Sequence, residues 1–126
     1  MRKALFYMAV GGLLTLGAVQ LAAVPATAAT VMGEVIDIAG YAQKDSRGEA
    51  GAEAGRFHAE GGFPIGILTE EGKVYVALYK NPAPASSLDT ANKKLADLMG
   101  MQVVARGRVF DAPGISVIEI SIVSEM

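Results

Sequence analysis

The feature that most constrains the fold is an uncharged, mainly apolar run near the N-terminus. It separates a predicted export segment from the domain that follows. Arg2 and Lys3 precede the run, Ala4–Val24 forms it, and Pro25 breaks it before Ala26-Thr27-Ala28, an A-x-A cleavage pattern. This order predicts a signal peptide that is removed after Ala28. The alternative is an uncleaved anchor, because the run is about as long as the ~20 residues that span a bilayer.

Residues 29–126 then form a small acidic domain that we expect in the periplasm or outside the cell, with no membrane insertion after cleavage. The chain has 11 basic and 13 acidic residues, of which only Arg2 and Lys3 precede residue 29, so the domain has 9 against 13 and a net charge of −4. The chain has no cysteine and one histidine, which excludes disulfides, thiolate clusters and multi-histidine metal centres within it. A basic cluster is also missing, so we expect no nucleic-acid partner.

The apolar pattern of the domain predicts three strands, one helix and two more strands. Alternating or β-branched residues mark each strand, and Glu70-Glu71-Gly72 separates two of them as a hairpin turn. The predicted strands are Val31–Ile38, Ile65–Thr69, Lys73–Lys80, Gln102–Asp111 and Ser116–Ser124. Gly33 is expected to form a bulge or tight bend in the first strand.

The predicted helix lies between the third and fourth strands. Ser86 fits an N-terminal cap and Gly100 a residue just past the C-terminus. Four apolar residues recur at helical spacing between them, namely Leu88, Ala91, Leu95 and Leu98.

This order of elements matches a mainly β fold, a five-stranded OB-like Greek-key barrel whose helix closes one end. A small α+β sheet with one helix packed across its face gives the same linear order and is the alternative.

The connection between the first two strands, residues 39–63, is unusually long and contains six glycines. Because glycine disfavours helix, Glu49–Glu60 is expected to form at most a frayed helical turn. Connections of this length are often functional or disordered, and in an OB barrel this one borders the ligand-binding face. We therefore predict a functional loop, with a solvated, flexible insertion as the alternative.

The segment Gly33–Tyr75 resembles a group of small secreted bacterial proteins of largely unknown function that are expected to have an OB-like fold. The matching residues are Gly33-Glu34-Val35-Ile36-Asp37-Ile38, Tyr41, Gly48-Glu49, Gly61-Gly62, Pro64, Gly66, Leu68-Thr69-Glu70 and Gly72-Lys73-Val74-Tyr75. The resemblance implies export, a barrel, and a long loop whose Cys and His residues suggest a metal or redox site. Here Gly40, Gly51 and Ala54 stand where the resemblance implies Cys, His and Cys, and His58 stands near a third Cys.

A divalent metal is the one cofactor that the residues of the loop suggest, and no other cofactor is expected. His58 could supply one ligand, with carboxylate oxygens from Glu53, Glu60 or Asp45. The alternative is a surface histidine that binds nothing.

Aromatic and arginine residues on the strands and in the loop suggest instead a surface for a protein partner. Alternation places Tyr75 and Tyr79 opposite Val74, Val76 and Leu78, on the side expected to be polar. The candidate partner-binding residues are Tyr41, Phe57, Tyr75, Tyr79, Arg106, Arg108 and Phe110.

The sequence thus favours an exported, non-enzymatic binding module that contacts an envelope protein. The alternative is a periplasmic metal- or small-ligand-binding protein that uses His58. Catalysis is not expected, because Glu34, Asp37 and Glu119 show no spacing typical of a paired-carboxylate site.

Overall fold

A computed structural model describes residues 25–79 and 90–126 of the chain. Its strands are β1 (Thr27–Asp37), β2 (Ile65–Leu68), β3 (Val74–Tyr79), β4 (Gln102–Ala112) and β5 (Ile115–Glu125). They close into a barrel in the order β1-β2-β3-β5-β4. Strands β3 and β5 pair in parallel, and the other neighbouring pairs are antiparallel.

This closed sheet confirms the mainly β, OB-like barrel and excludes the open α+β sheet. The hairpin of β2 and β3 is also confirmed, with Gly72 at φ +89° in its turn. Strand β1 starts earlier than predicted, at Thr27 inside the A-x-A pattern. The first 24 residues of the predicted signal peptide lie outside the described residues. The predicted helix cap at Ser86 lies outside them as well.

The core fills the barrel interior with aliphatic side chains from every strand. Val103, Ala105 and Val109 of β4 point inward, as their alternation predicts. Val35, Ile67 and Ile118 from other strands are fully buried against them. Burying one such side chain contributes about 1.5–3 kcal/mol, so this interior is the main source of stability.

A β-bulge interrupts the alternation of β5. Arg106 pairs with Ile122 and the next residue, Gly107, pairs with Ile120, so Ser121 is an extra residue on β5. After the bulge, the residues of β5 that point inward are shifted by one position along the chain. Ile122 is therefore 65% exposed, and Val123 packs against the core. Unbroken alternation through Ser116–Ser124 would put Ile122 on the face of Ile118 and Ile120, but the bulge shifts the two-residue period. The registers place the irregularity here and show none at Gly33.

The helix between β3 and β4 is confirmed over its described part. Helix α3 (Ala91–Leu95) continues into a 3₁₀ turn, Ala96–Leu98. Thr90 caps it, since its hydroxyl accepts a hydrogen bond from the Lys93 N–H. Leu95 is fully buried in the barrel core and Lys93 and Lys94 are exposed, as the helical spacing predicts.

The glycine-rich connection is helical, so the expectation of a mainly irregular loop over 39–63 is wrong. It forms α1 (Ile38–Lys44) and α2 (Gly48–Glu60). Tertiary contacts outweigh the low helix propensity of glycine. A Cβ on Gly55 would lie 2.6 Å from Met99 Cγ, so only glycine lets α2 approach the buried Met99 this closely.

Candidate functional site

The two helices after β1 are anchored to the barrel at both ends. The carboxylate of Glu34 accepts a hydrogen bond from the Gly48 N–H at 2.6 Å, at the start of α2. A negative charge there also interacts favourably with the helix dipole. At the end of the segment, the Ile38 N–H donates to the Pro64 carbonyl at 3.1 Å. These two hydrogen bonds attach the segment to the barrel at the start of α2 and join its first residue to Pro64.

A polar contact with a buried carboxylate joins Asp37, the last residue of β1, to His58 on α2. His58 Nδ1 donates to Asp37 Oδ2, and the Asp37 side chain is 5% exposed. The other oxygen of Asp37, Oδ1, is buried without a hydrogen-bond partner among the described residues. Buried polar groups are normally paired, so a buried carboxylate with one free oxygen marks this place as unusual in the fold.

Of the positions where the resemblance implies Cys or His, Gly40 lies at this contact and Gly51 lies beside Ser46. A Cβ on Gly40 would be 2.7 Å from Asp37 Oδ2, and a Cβ on Gly51 would be 2.6 Å from the hydroxyl oxygen of Ser46. Gly40 therefore contacts both Asp37 and Ser46, whereas Gly51 contacts Ser46 and His58 contacts Asp37. Ala54 lies instead on the exposed side of α2.

Two exposed phenylalanines flank the histidine, and we call Phe57, His58 and Phe63 the aromatic cluster. The rings of His58 and Phe63 stack with centroids 4.7 Å apart and planes at 17°, while Phe57 lies 6.2 Å from His58 at 55°. Phe57 is 75% exposed and Phe63 46%. The cluster is therefore an apolar, aromatic surface with one polar ring at its centre.

Asn92 of α3 holds this surface in place from the other side of the connection. Its side-chain amide donates to the carbonyl of Ala59 at 2.8 Å and to that of Phe63 at 2.7 Å. Asn92 therefore ties the end of α2 and the backbone of Phe63 to the helix that closes the barrel.

The chemistry open to the cluster depends on how Asp37 orients the His58 ring. A carboxylate on Nδ1 fixes the tautomer and leaves Nε2 as the nitrogen that can accept a proton or a metal. The described residues contain no group of three or more His, Cys, Asp or Glu side chains placed to hold a metal ion. Of the predicted ligands, Glu53 borders the same shallow hollow as His58, and Glu60 is not part of its lining. The carboxylate that contacts His58 belongs to Asp37, and a metal site at His58 stays a prediction.

The predicted aromatic and arginine residues do not form one surface. Tyr75 and Tyr79 pack against the barrel core, on the inward face that they share with buried Ala77. The assignment of these two tyrosines to the outer, polar face is therefore wrong. Alternation shows which residues share a face, but not which face is buried. A small residue between the two rings leaves room for both in the barrel.

The two arginines and Phe110 lie on the outside of β4. Arg108 makes a two-pronged ion pair with Glu119, with Nη2 2.8 and 2.9 Å from the two carboxylate oxygens. Its guanidinium also lies 5.7 Å from the centre of the Phe110 ring. Arg106 is exposed, and Tyr41 on α1 is half-buried. Among the predicted partner-binding residues, only Phe57 belongs to the aromatic cluster.

A shallow apolar groove on the outer face of β3 and β5 was not predicted from the sequence. The groove extends from the start of α1 to the turn between β4 and β5. OB barrels commonly bind ligands in this region. The lining residues are Ile38, Val74, Val76, Ala112, Gly114, Ile115 and Ser116.

A polar contact at the groove's rim couples Lys73 to Asp111. Lys73 Nζ lies 3.1 Å from Asp111 Oδ1, and the Ser116 hydroxyl donates to the same oxygen at 2.6 Å. The hydrogen bond from Ser116 first, and the contact with Lys73 second, lower the pKa of Asp111 below its ordinary value of 3.8.

Comparison of the chain with protein-family models, with curated proteins and with solved structures found no match. Within the described parts of the chain, no helix has the length and apolar character needed to cross a membrane.

Proposed function

We propose that this protein is an exported, non-enzymatic binding module that holds a protein partner of the cell envelope through the aromatic cluster. The observation that carries the proposal is the exposure of Phe57 and Phe63 beside a histidine that is fixed from behind by buried Asp37. Large exposed aromatics on a rigid support are typical of interface centres, where they lose little conformational entropy on binding.

Rigidity distinguishes this surface from a chance exposure of apolar side chains. The Phe63 backbone is held by Asn92, His58 by Asp37, and the start of α2 by Glu34. A surface held in this way is preorganised, so binding does not have to order it. Glu53, which borders the same hollow as Phe57 and His58, favours a partner with a basic group beside an apolar pocket.

Site-specific photocrosslinking in the exporting cell tests the proposal. A photoreactive phenylalanine at position 57 or 63 should give one crosslinked partner, and the same probe at Ile122, which is 65% exposed elsewhere on the barrel, should not. With the identified partner, Phe57→Ala should raise the Kd at least ~30-fold, the ~2 kcal/mol effect of an interface hot spot. The matched control Ile122→Ala should leave the Kd unchanged. Crosslinks of equal yield at all three positions would contradict the proposal.

The second candidate, metal binding, is favoured by one observation, the contact of Asp37 with His58 Nδ1. That arrangement is common behind histidines that bind metals through Nε2. Calorimetric titration of the exported protein with Cu(II), Zn(II) or Ni(II) separates the two functions. Micromolar binding that disappears in His58→Ala supports the metal; loss of partner binding in Phe57→Ala with no such heat supports the binding module.

A further inference from the structure

The solvent side of α2 carries an apolar stripe that continues the aromatic cluster along the helix. Ala50, Ala54 and Phe57 are exposed and occupy positions i, i+4 and i+7, so they lie on one face of the helix. Gly55 and Ala59 are buried and belong to the face that packs on the rest of the protein. A shallow hollow opens over the two exposed alanines, with Phe57 at its border.

Two acidic side chains follow one side of this stripe. Glu53 lies four residues before Phe57 and Glu60 lies three after it, and these spacings make them neighbours of Phe57 on the helix surface. Both glutamates are exposed, and neither forms an ion pair with another described residue. Arg56 of the same helix lies instead 4.0 Å from Asp97. The apolar stripe therefore has an uncompensated negative side.

The chemistry of this face determines the backbone conformation that fits it. The backbone groups of α2 are bonded within the helix, so the face offers apolar carbon and carboxylates. An extended segment laid over Ala50 and Ala54 would bury its own N–H and C=O groups without partners, which costs free energy. A helical segment satisfies these groups internally. Alanine at the contact also permits the short end of the 8–10 Å separation of packed helices.

We propose that the partner segment that docks on the aromatic cluster is an amphipathic α-helix packed along α2. Its apolar side chains fill the hollow over Ala54 beside the ring of Phe57, and its lysine or arginine side chains lie beside Glu53 and Glu60. Anchors at i, i+3 or i+4 and i+7 are typical of helix recognition. This inference rests on the proposed function, because it specifies the partner segment that the same surface binds.

A second copy of α2 does not fit this face, because its charges are wrong. In an antiparallel pair about a twofold axis, the acidic sides of the two helices lie together, so Glu53 and Glu60 meet the same residues of the other copy and repel them. In a parallel pair they lie opposite the side that carries Gly51 and His58, which has no lysine or arginine. The partner helix is therefore one of different sequence with a basic side.

Mapping the crosslinks from position 57 tests this inference in the exporting cell. Mass spectrometry should identify a partner segment with apolar residues at helical spacing and basic residues beside them. The synthetic peptide of that segment should gain helix by circular dichroism when the exported protein is added, and a proline at its centre should remove binding. Ala54→Trp, which fills the hollow, should remove binding as well. Ala42→Trp, at an exposed position on α1, is the matched control and should bind normally.

Charge reversal tests the acidic side of the stripe. Glu53→Lys combined with Glu60→Lys should raise the Kd of the peptide about tenfold at low salt, because each reversal replaces an attraction by a repulsion. The difference from the wild type should vanish at about 1 M salt, where the Debye length is about 3 Å. Glutamine at both positions should have a smaller effect, since it removes the attraction without adding repulsion.

The outcomes separate this inference from the proposed function. A crosslinked segment that gains no helix, or that binds the charge-reversed protein as tightly as the wild type, overturns the helical, basic partner and leaves the proposed function standing. Absence of any crosslink from positions 57 and 63 overturns both.

Discussion

His58 donates a hydrogen bond to Asp37, which lies 21 residues earlier in the chain and is almost completely buried. The other carboxylate oxygen of Asp37 has no hydrogen-bond partner among the described residues. The pair therefore links the end of β1 to α2 and supports the histidine at the centre of the aromatic cluster.

Removal of either member of this pair should destabilise the protein. His58→Ala leaves a buried carboxylate without its partner and should lower the free energy of unfolding by about 1–3 kcal/mol. For a domain of this size the Tm should fall by about 4–8 °C per kcal/mol. Urea denaturation of His58→Ala, Asp37→Asn and the double variant measures the coupling, which should exceed about 0.5 kcal/mol. Additive losses would show that the two side chains do not interact.

Gly107 of β4 lies opposite the bulge in β5, and close approach of the β5 backbone should require glycine at this position. A Cβ on Gly107 would overlap the Glu119 carbonyl, which is backbone and cannot move aside as a side chain can. Gly107→Ala should therefore cost about 1–3 kcal/mol. Gly61→Ala is the control, since its Cβ would meet nothing nearer than 3.4 Å. If chemical denaturation gave the two variants equal free energies of unfolding, the close approach of the Glu119 carbonyl to Gly107 would be contradicted.

The bulge in β5 should also determine which isoleucines stabilise the core. Ile120 is buried and Ile122 is 65% exposed, although they are two residues apart. Ile120→Thr buries a hydroxyl and should cost at least about 1–3 kcal/mol. Ile122→Thr should stay within about 0.5 kcal/mol of the wild type. Thermal unfolding of the two variants is sufficient, and a large loss for Ile122→Thr would restore the uninterrupted alternation.

Asn92→Ala should loosen the aromatic cluster without touching its rings. The carbonyls of Ala59 and Phe63 both lose a donor. We expect a loss of about 1–2 kcal/mol, because Phe63 lies partly in water, which can replace one of the bonds. NMR should show a smaller ring-current shift on the His58 protons. An unchanged shift would mean that stacking alone holds Phe63 in place.

The Asp111 contact predicts a pH dependence at the rim of the outer groove. Its pKa lies below the ordinary value because Ser116, and then Lys73, stabilise the charged form. This contribution to stability is present above the unfolded-state pKa and is lost as the pH falls through the lower, folded-state pKa. NMR titration should therefore show a higher Asp111 pKa in Ser116→Ala. Identical titration curves would exclude the hydrogen bond in solution.

The barrel could be predicted from the sequence because its strands, turn and helix are specified by residues that are close together in the chain. Alternation in Gln102–Asp111, the turn at Gly72 and the spacing of Ala91, Leu95 and Leu98 each depend on neighbouring residues, and together they gave the order of strands and helix. The glycine-rich connection could not be predicted in the same way. Its helix α2 depends on the contact of Gly55 with Met99, and glycine propensity alone points the other way.

The sequence by itself determined the order of elements, the hairpin and the helix that closes the barrel. Only the tertiary structure decided that Tyr75 and Tyr79 face inward, that Ile122 faces outward, and that Asp37 is the carboxylate at His58. The physical reason is the range of the interactions. Periodicity records which residues share a face, whereas burial and pairing depend on residues that meet only when the sheet closes.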